Sequence, residues 1–391
     1  MEIGHPLAGR GEVLPGGSSS TGNRWEPLQE DLVKQKVIVP ELIIIRAVSC
    51  LAVVLMHSIT MLIGDPEVNR GLNTARLLLL FATPTFAYMS AFLIGYSKSQ
   101  RPYFETLWLR VKYLILPYLI FAVGYACWQH YQWGAPLVDR IRYNIAGGYH
   151  GYFVLVVFQF YLFHPLFRPI LERVPAWVGV PAAGLVNIGY LAALNLGLVS
   201  IPYLGFHAYR LLPAWFFYYV LGYYSGRDRD QFQLVLRRWW PLSAALLACG
   251  AGLLLRNALS GFLPDVTSQR FEVVLYAAGV ILLAFPLAGR ARRIPSVLNL
   301  VNRASFGIYL LHWFFLELFR RWVVRIPGLP KPAGILLLFV LAATAAALVT
   351  FALNRWRWGA YVVGRLGVDG SKARLAPPPG SAAAPAEAAT R

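Results

Sequence analysis

The sequence predicts an all-α polytopic membrane protein of about ten transmembrane helices in one bundle; composition, run length and periodicity all point that way. The 391-residue chain is 57% hydrophobic and 14% charged, against roughly 45–50% apolar and about 25% charged in an ordinary soluble domain. Its apolar residues gather into runs of about 20, the length a helix needs to cross a bilayer. The runs lack the apolar/polar alternation of barrel strands, and in lipid only helices or closed barrels satisfy the backbone.

In chain order the runs lie at about 42–63, 77–97, 113–131, 150–167, 177–198, 211–226, 239–255, 271–289, 304–320 and 333–353. The first is expected to direct its own insertion, because residues 1–40 are polar and rich in Gly, Pro and Ser, without the apolar core of a signal peptide. The fourth and sixth are short and aromatic, interrupted by His150, Gln159 and Pro213, so a re-entrant course is open to both. The ninth carries Ser305, Tyr309 and His312 at i, i+4 and i+7, one helix face. Residues 1–37 and 366–391 read as disordered tails, the second Ala- and Pro-rich, flanking a membrane domain at 38–365.

Lys and Arg number 36 against 18 acidic residues, a net charge of +18. With the N-terminus inside, 24 basic residues fall on the cytoplasmic side and 11 on the other, which favours a multi-pass protein of the cell (inner) membrane with both termini cytoplasmic. The surplus is therefore topological, and nucleic acid is not an expected partner. Cys50, Cys127 and Cys249 all lie in apolar runs and read as packing residues. No His pair has the i, i+4 spacing and nearby carboxylate of a metal motif, so no metal is expected.

Arg46 is the basic residue that topology does not explain. It shares the first helix with His57; eleven steps of 100° return to within about 20° of the starting face, about 16 Å along the axis. Ser49, Cys50 and Val53 continue that stripe and leave room beside it. Taken alone, Arg46 could snorkel to headgroups and His57 could bond a neighbouring helix. His164, His130 and His207 read as interfacial, and Glu317 as a local ion-pair partner of Arg320 and Arg321.

The stretch ELIIIRAVSCLAVVLMHSITM, with its Arg and His ten residues apart, resembles the first helix of the acyltransferase-3 family of integral membrane acyltransferases. FATPTFAYMSAFLIGYSK is similar to the family's second helix, with Ala91 where Gly is usual. LRVKYLILPYLIF, through Arg110, Lys112 and Pro117, resembles the entry to the third. GYHGYFVLVVFQFYLFHPLF matches the Tyr-His segment through Tyr149, His150, Phe153, Tyr161 and Pro165, and NRASFGIYLLHWFF the Ser-Tyr-His element through Ser305, Tyr309 and His312. The resemblance spans about residues 38–365.

It implies transfer of an acyl group, usually acetyl from cytoplasmic acetyl-CoA, to a hydroxyl of a carbohydrate or other cell-surface acceptor. The residues suit that chemistry. Arg46, with Arg110 and Lys112 on the same side, offers cations for the donor's phosphates. His57 is the expected base for the acceptor hydroxyl, and Tyr309, His312 and His150 are candidate donors to the thioester oxyanion. The expected partners are acyl-CoA, a carbohydrate or lipid-linked glycan, and the bilayer. A transporter or flippase for a sugar or lipid-linked intermediate is the competing class; its paired Gly- or Pro-broken helices are not evident.

Overall fold

The computed structural model describes residues 39–97, 101–201, 205–291 and 293–372. The expected tails at 1–37 and 373–391 lie outside the described residues. All ten apolar runs fold as helix, and the described residues contain no strand.

Pro40, whose fixed φ and missing donor suit a first helical turn, starts α1 (Pro40–Leu62). A short α2 (Arg70–Leu78) leads into α3 (Ala82–Tyr96). The third run is α4 (Tyr103–Arg110), a π-helical turn at Val111–Ile115, and α5 (Leu116–Trp133). After α6 (Leu137–Ile145) and a 3-10 turn at His150–Tyr152 come α7 (Phe153–Arg173) and α8 (Ala176–Asn195). Two 3-10 turns, Gly205–Arg210 and Leu212–Trp215, precede α9 (Phe216–Arg227) and α10 (Arg229–Arg238). The remainder is α11 (Trp240–Leu259), α12 (Phe271–Ala288), α13 (Ser296–Val323), α14 (Lys331–Asn354) and α15 (Gly359–Val362).

Among the described residues eight helical stretches are long and apolar enough to cross a membrane, and α9 and α13 are not among them. Both are interior helices. The 12 residues of α9 rise only about 18 Å, and every residue from Phe217 to Gly226 is buried, as expected of a helix enclosed on all sides. The 28-residue α13 carries Asn299, Asn302, His312, Glu317 and three arginines, and it buries its Asn and His side chains against neighbours rather than lipid. The fourth run is a continuous 21-residue helix, with Pro165 and Pro169 inside it. Lipid-facing apolar side chains stand instead on the outer helices, among them Val123, Leu185, Leu242 and Leu348.

Small residues set the closest helix approach. A Cβ at Gly222 or Gly226 of α9 would collide with the Tyr88 or Phe92 carbonyl of α3, and one at Gly95 with the Tyr223 carbonyl. The Gly-x-x-x-Gly spacing on α9 thus supplies the close packing although Ala91 replaces the usual Gly on α3, and Ala91 is itself fully buried against Gly222.

Two ionic contacts fasten helix ends. Buried Glu41 accepts from Arg229 Nη2 at 2.9 and 3.1 Å and from Gln233 Nε2, tying α1 to α10. Arg270 and Glu272, almost without exposure, pair at the start of α12. Residues 366–372, counted with the C-terminal tail from sequence, are held against the start of α13. The Gly367 amide donates to the Arg303 carbonyl (2.7 Å), Asn302 to the Val368 carbonyl (2.9 Å) and Asn299 to Asp369 (2.8 Å). The Asn299 amide, then the Ser371 hydroxyl and amide, hold the Asp369 carboxyl well below the usual carboxylate range.

Candidate active site

Arg46 and His57 project from one face of α1, and two constellations form along it. At the N-terminal end Arg46 is half-buried and has neither a hydrogen bond nor an ion pair among the described residues. Its electrostatic neighbours are Tyr161 and Cys50, and the Cys50 thiol donates to the Ser305 carbonyl at 3.7 Å, seating α1 on α13. Arg110, at the end of α4 just before the π-turn, lies 4.3 Å over the Tyr161 ring. Tyr161 is thus an electrostatic neighbour of both guanidinia. Lys112 does not join them: its ammonium sits 5.0 Å over Trp108, an exposed ring.

At the other end three imidazoles from three helical segments meet. His57 stacks on His312 of α13 with ring centres 5.3 Å apart, and His312 meets His150 edge-on at 4.9 Å. Trp313 completes the group, 5.0 Å from His57 and 5.8 Å, stacked, from His150. Tyrosines wall it in. Tyr125 lies 4.8 Å from His150 and donates to the Leu310 carbonyl at 2.9 Å, while Tyr149 donates to the Tyr118 carbonyl at 2.7 Å.

The hydrogen bonds fix which nitrogens are free. His312 Nδ1 lies 2.7 Å from the Tyr309 carbonyl and 3.2 Å from that of Ile308. Carbonyls only accept, so Nδ1 carries the proton and Nε2 of the neutral ring is a bare lone pair. That Nε2 is buried and has no partner. His150 Nε2 donates to the Leu310 carbonyl (3.3 Å) in the same way. His57 makes no hydrogen bond among the described residues, so both its ring nitrogens are available. The Tyr309 hydroxyl is engaged with the His150 carbonyl.

His150 and Tyr309 lie beside His312, which stacks on His57, and with the rings neutral the donors of all three are directed at backbone carbonyls. Sequence reading passed over Trp313, which lies about 100° around the helix from His312 and so seemed to face elsewhere. It passed over Tyr125 as well, which carries no motif. Although three imidazoles converge, among the described residues no group of three or more His, Cys, Asp or Glu is arranged to hold a metal ion.

The remaining histidines lie apart. His130 and His164 bond the Ala135 carbonyl (2.7 Å) and the Tyr219 hydroxyl (2.8 Å). His207 contacts Arg210 (2.6 Å) in the loop before α9, where burial, aided by that guanidinium, holds its imidazole below its ordinary value. Glu317 pairs with Arg320 at 3.5 Å, and Arg321 leans over Trp128 instead.

Residues 39–355 match the family model described as "Acyltransferase domain". A Bacillus subtilis (strain 168) protein named "Putative membrane-bound acyltransferase YfiQ" is 30% identical over 347 residues, 84% of this chain and 95% of that protein. A Staphylococcus aureus (strain Mu50 / ATCC 700699) protein named "Probable poly-beta-1,6-N-acetyl-D-glucosamine export protein" is 22% identical over 291 residues, 71% of this chain and 82% of its own length. A Staphylococcus epidermidis protein of the same name is 23% identical over 298 residues, 71% of this chain and 81% of its own. No solved structure matches the chain.

Proposed function

The chain belongs to the acyltransferase-3 family of membrane acyltransferases, and from that premise we propose that it is an O-acyltransferase moving an acetyl or other short acyl group from acetyl-CoA to a hydroxyl of a carbohydrate or cell-surface polysaccharide. One observation carries the reading. Arg46, which has no counter-ion among the described residues, and His57, whose ring nitrogens bond none of them, share one face of one helix about 16 Å apart, enough to hold an elongated donor by its anionic end with its thioester beside the histidines.

Arg46 and Arg110 would bind the donor's phosphates, for which planar guanidinia are suited. Lys112, leaning on Trp108, would act there only as a diffuse charge. The acceptor oxygen attacks the thioester carbonyl carbon while His57 takes the hydroxyl proton. The C–S bond then breaks, and the proton passes to the coenzyme thiolate, leaving an ester, a free thiol and neutral His57. His312 and His150, with Tyr309 anchoring the His150 backbone, position that base. By the bias of basic residues the Arg46 end is assigned to the cytoplasm, with both termini there and the chain in the cell (inner) membrane.

The export function named for the staphylococcal relatives motivates one competing reading, passage of a sugar chain or lipid-linked intermediate. The test is thioester consumption. Purified protein in lipid nanodiscs, given acetyl-CoA and a β-1,6-linked N-acetylglucosamine oligosaccharide, should release free coenzyme A and increase the oligosaccharide mass by one acetyl group. A protein that transports should neither bind nor consume acetyl-CoA.

A further inference from the structure

With the donors of Tyr309, His312 and His150 directed at backbone carbonyls, the oxyanion that forms when the hydroxyl attacks has no assigned partner. Arg76, of the short helix packed beside α1, is the candidate for that partner. Its neighbours Leu72 and Ala75, and Leu79 just past that helix, pack against the cluster of Ile59 of α1 with Ile63 and Ile335, to which Leu55 of α1 also belongs, and Leu79 packs as well against that of Ala52 and Val53. These contacts bracket His57, and Arg76 is an electrostatic neighbour of the His57 ring.

The guanidinium is half-buried and has no counter-ion among the described residues. Its Nη2 donates to a neutral acceptor, Asn73 Oδ1, at 3.0 Å, while its Nε is buried with no partner. The two carboxylates of the preceding loop are engaged elsewhere, Glu67 with Arg70 at 3.8 Å and Asp65 with the Glu67 amide at 2.8 Å. A cation inside a membrane protein is ordinarily paired or faces a functional cavity. A positive charge beside a base that must take up a proton is also unfavourable, unless a negative charge appears between them as the proton moves. The tetrahedral intermediate supplies that negative charge.

We infer that Arg76 is the oxyanion-stabilising residue of the acyl transfer, its guanidinium donating to the thioester carbonyl oxygen as the acceptor oxygen bonds to the carbonyl carbon and His57 takes the proton. The inference rests on the acyltransferase reading above. It makes the outer end of the site a charge-separated triad of imidazolium, oxyanion and guanidinium, formed only during the reaction.

The experiment is steady-state kinetics of Arg76→Gln and Arg76→Lys in nanodiscs, with acetyl-CoA and the same oligosaccharide, alongside melting curves. Losing one oxyanion donor costs about 10²–10³ in kcat, so Arg76→Gln should fall by that factor, with both KM values within threefold. Arg76→Lys should recover part of the rate. If Arg76→Gln does not fold, Arg76→Gly with added methylguanidinium replaces it, and turnover restored by the additive supports the assignment. A raised acceptor KM at unchanged kcat would make Arg76 an acceptor-binding group and overturn the inference, as would wild-type kinetics in the variants or no recovery with the additive. Absence of thioester turnover in the wild-type protein would instead remove the acyltransferase reading, and this assignment with it.

Discussion

At one end of the α1 stripe, Arg110 lies over the Tyr161 ring, and Tyr161 is also an electrostatic neighbour of Arg46. At the other, His312 lies between His57 (5.3 Å) and His150 (4.9 Å), with Trp313 against both outer rings. The first end is made of charges with no counter-ion among the described residues, and the second of polarisable rings whose donors, His57 apart, are turned to backbone carbonyls. Unpaired cations suit an anionic ligand that arrives ready-made. Neutral imidazoles with bare lone pairs suit a proton that moves only during reaction. The contrast implies different kinetic signatures, because an interaction made equally in ground and transition state changes KM, whereas one made only in the transition state changes kcat.

The largest effect should come at the histidine end. His57→Gln should lower kcat by about 10²–10⁴, the usual worth of a general base, with the donor KM within threefold in steady-state assays. A donor KM that rises as much as kcat falls would break the division. Next, Arg46→Met removes a charge-assisted contact worth about 1.5–3 kcal/mol, so the acetyl-CoA KM should rise about ten- to hundredfold with kcat little changed. Arg110 is exposed, so Arg110→Ala should raise the same KM only a few-fold. Gly226→Leu forces a side chain between α9 and α3; overpacking costs about 1–3 kcal/mol, and calorimetry should show a lower melting temperature. That loss should weaken both ends alike, and a selective effect on one of them would blur the comparison.

The smallest expected effect is a pH dependence outside both ends. His207 Nδ1 lies 2.6 Å from Arg210 Nη1 and 2.8 Å from the Ala146 carbonyl, and burial, with the Arg210 charge outweighing the carbonyl contact, holds its folded imidazole below the ordinary 6.5. A base with a lowered folded value contributes stability that is complete above its unfolded value and declines as pH falls below it. Hydrogen exchange of the turn at Gly205–Arg210 should therefore show weaker protection, corrected for intrinsic rates, as pH drops below about 6.5.

The sequence makes the eight apolar spans legible, because bilayer length and composition are local properties. The interior character of α9 and α13 is not local. Twelve enclosed residues look like a short span until the neighbours that bury Phe217 to Gly226 are in place, and polar α13 looks like a weak one until Asn299, Asn302 and His312 find the interior. At the site, spacing alone put Arg46 with His57 and Tyr309 with His312. It could not give the direction of the His312 hydrogen bond, since that depends on which carbonyls lie beneath the ring. Nor could it single out Arg76, which counts along the chain as one more basic loop residue and becomes distinctive only when α2 lies against α1.

The most direct test takes the two ends together: acetyl-CoA binding and thioester turnover measured on the same nanodisc samples of wild type, Arg46→Met and His57→Gln. Divided labour predicts that His57→Gln binds acetyl-CoA within threefold of wild type yet releases almost no coenzyme A, while Arg46→Met binds weakly and turns over near the wild-type rate once saturated. His57→Gln turning over at the wild-type rate, or both variants losing binding and turnover together, would contradict it.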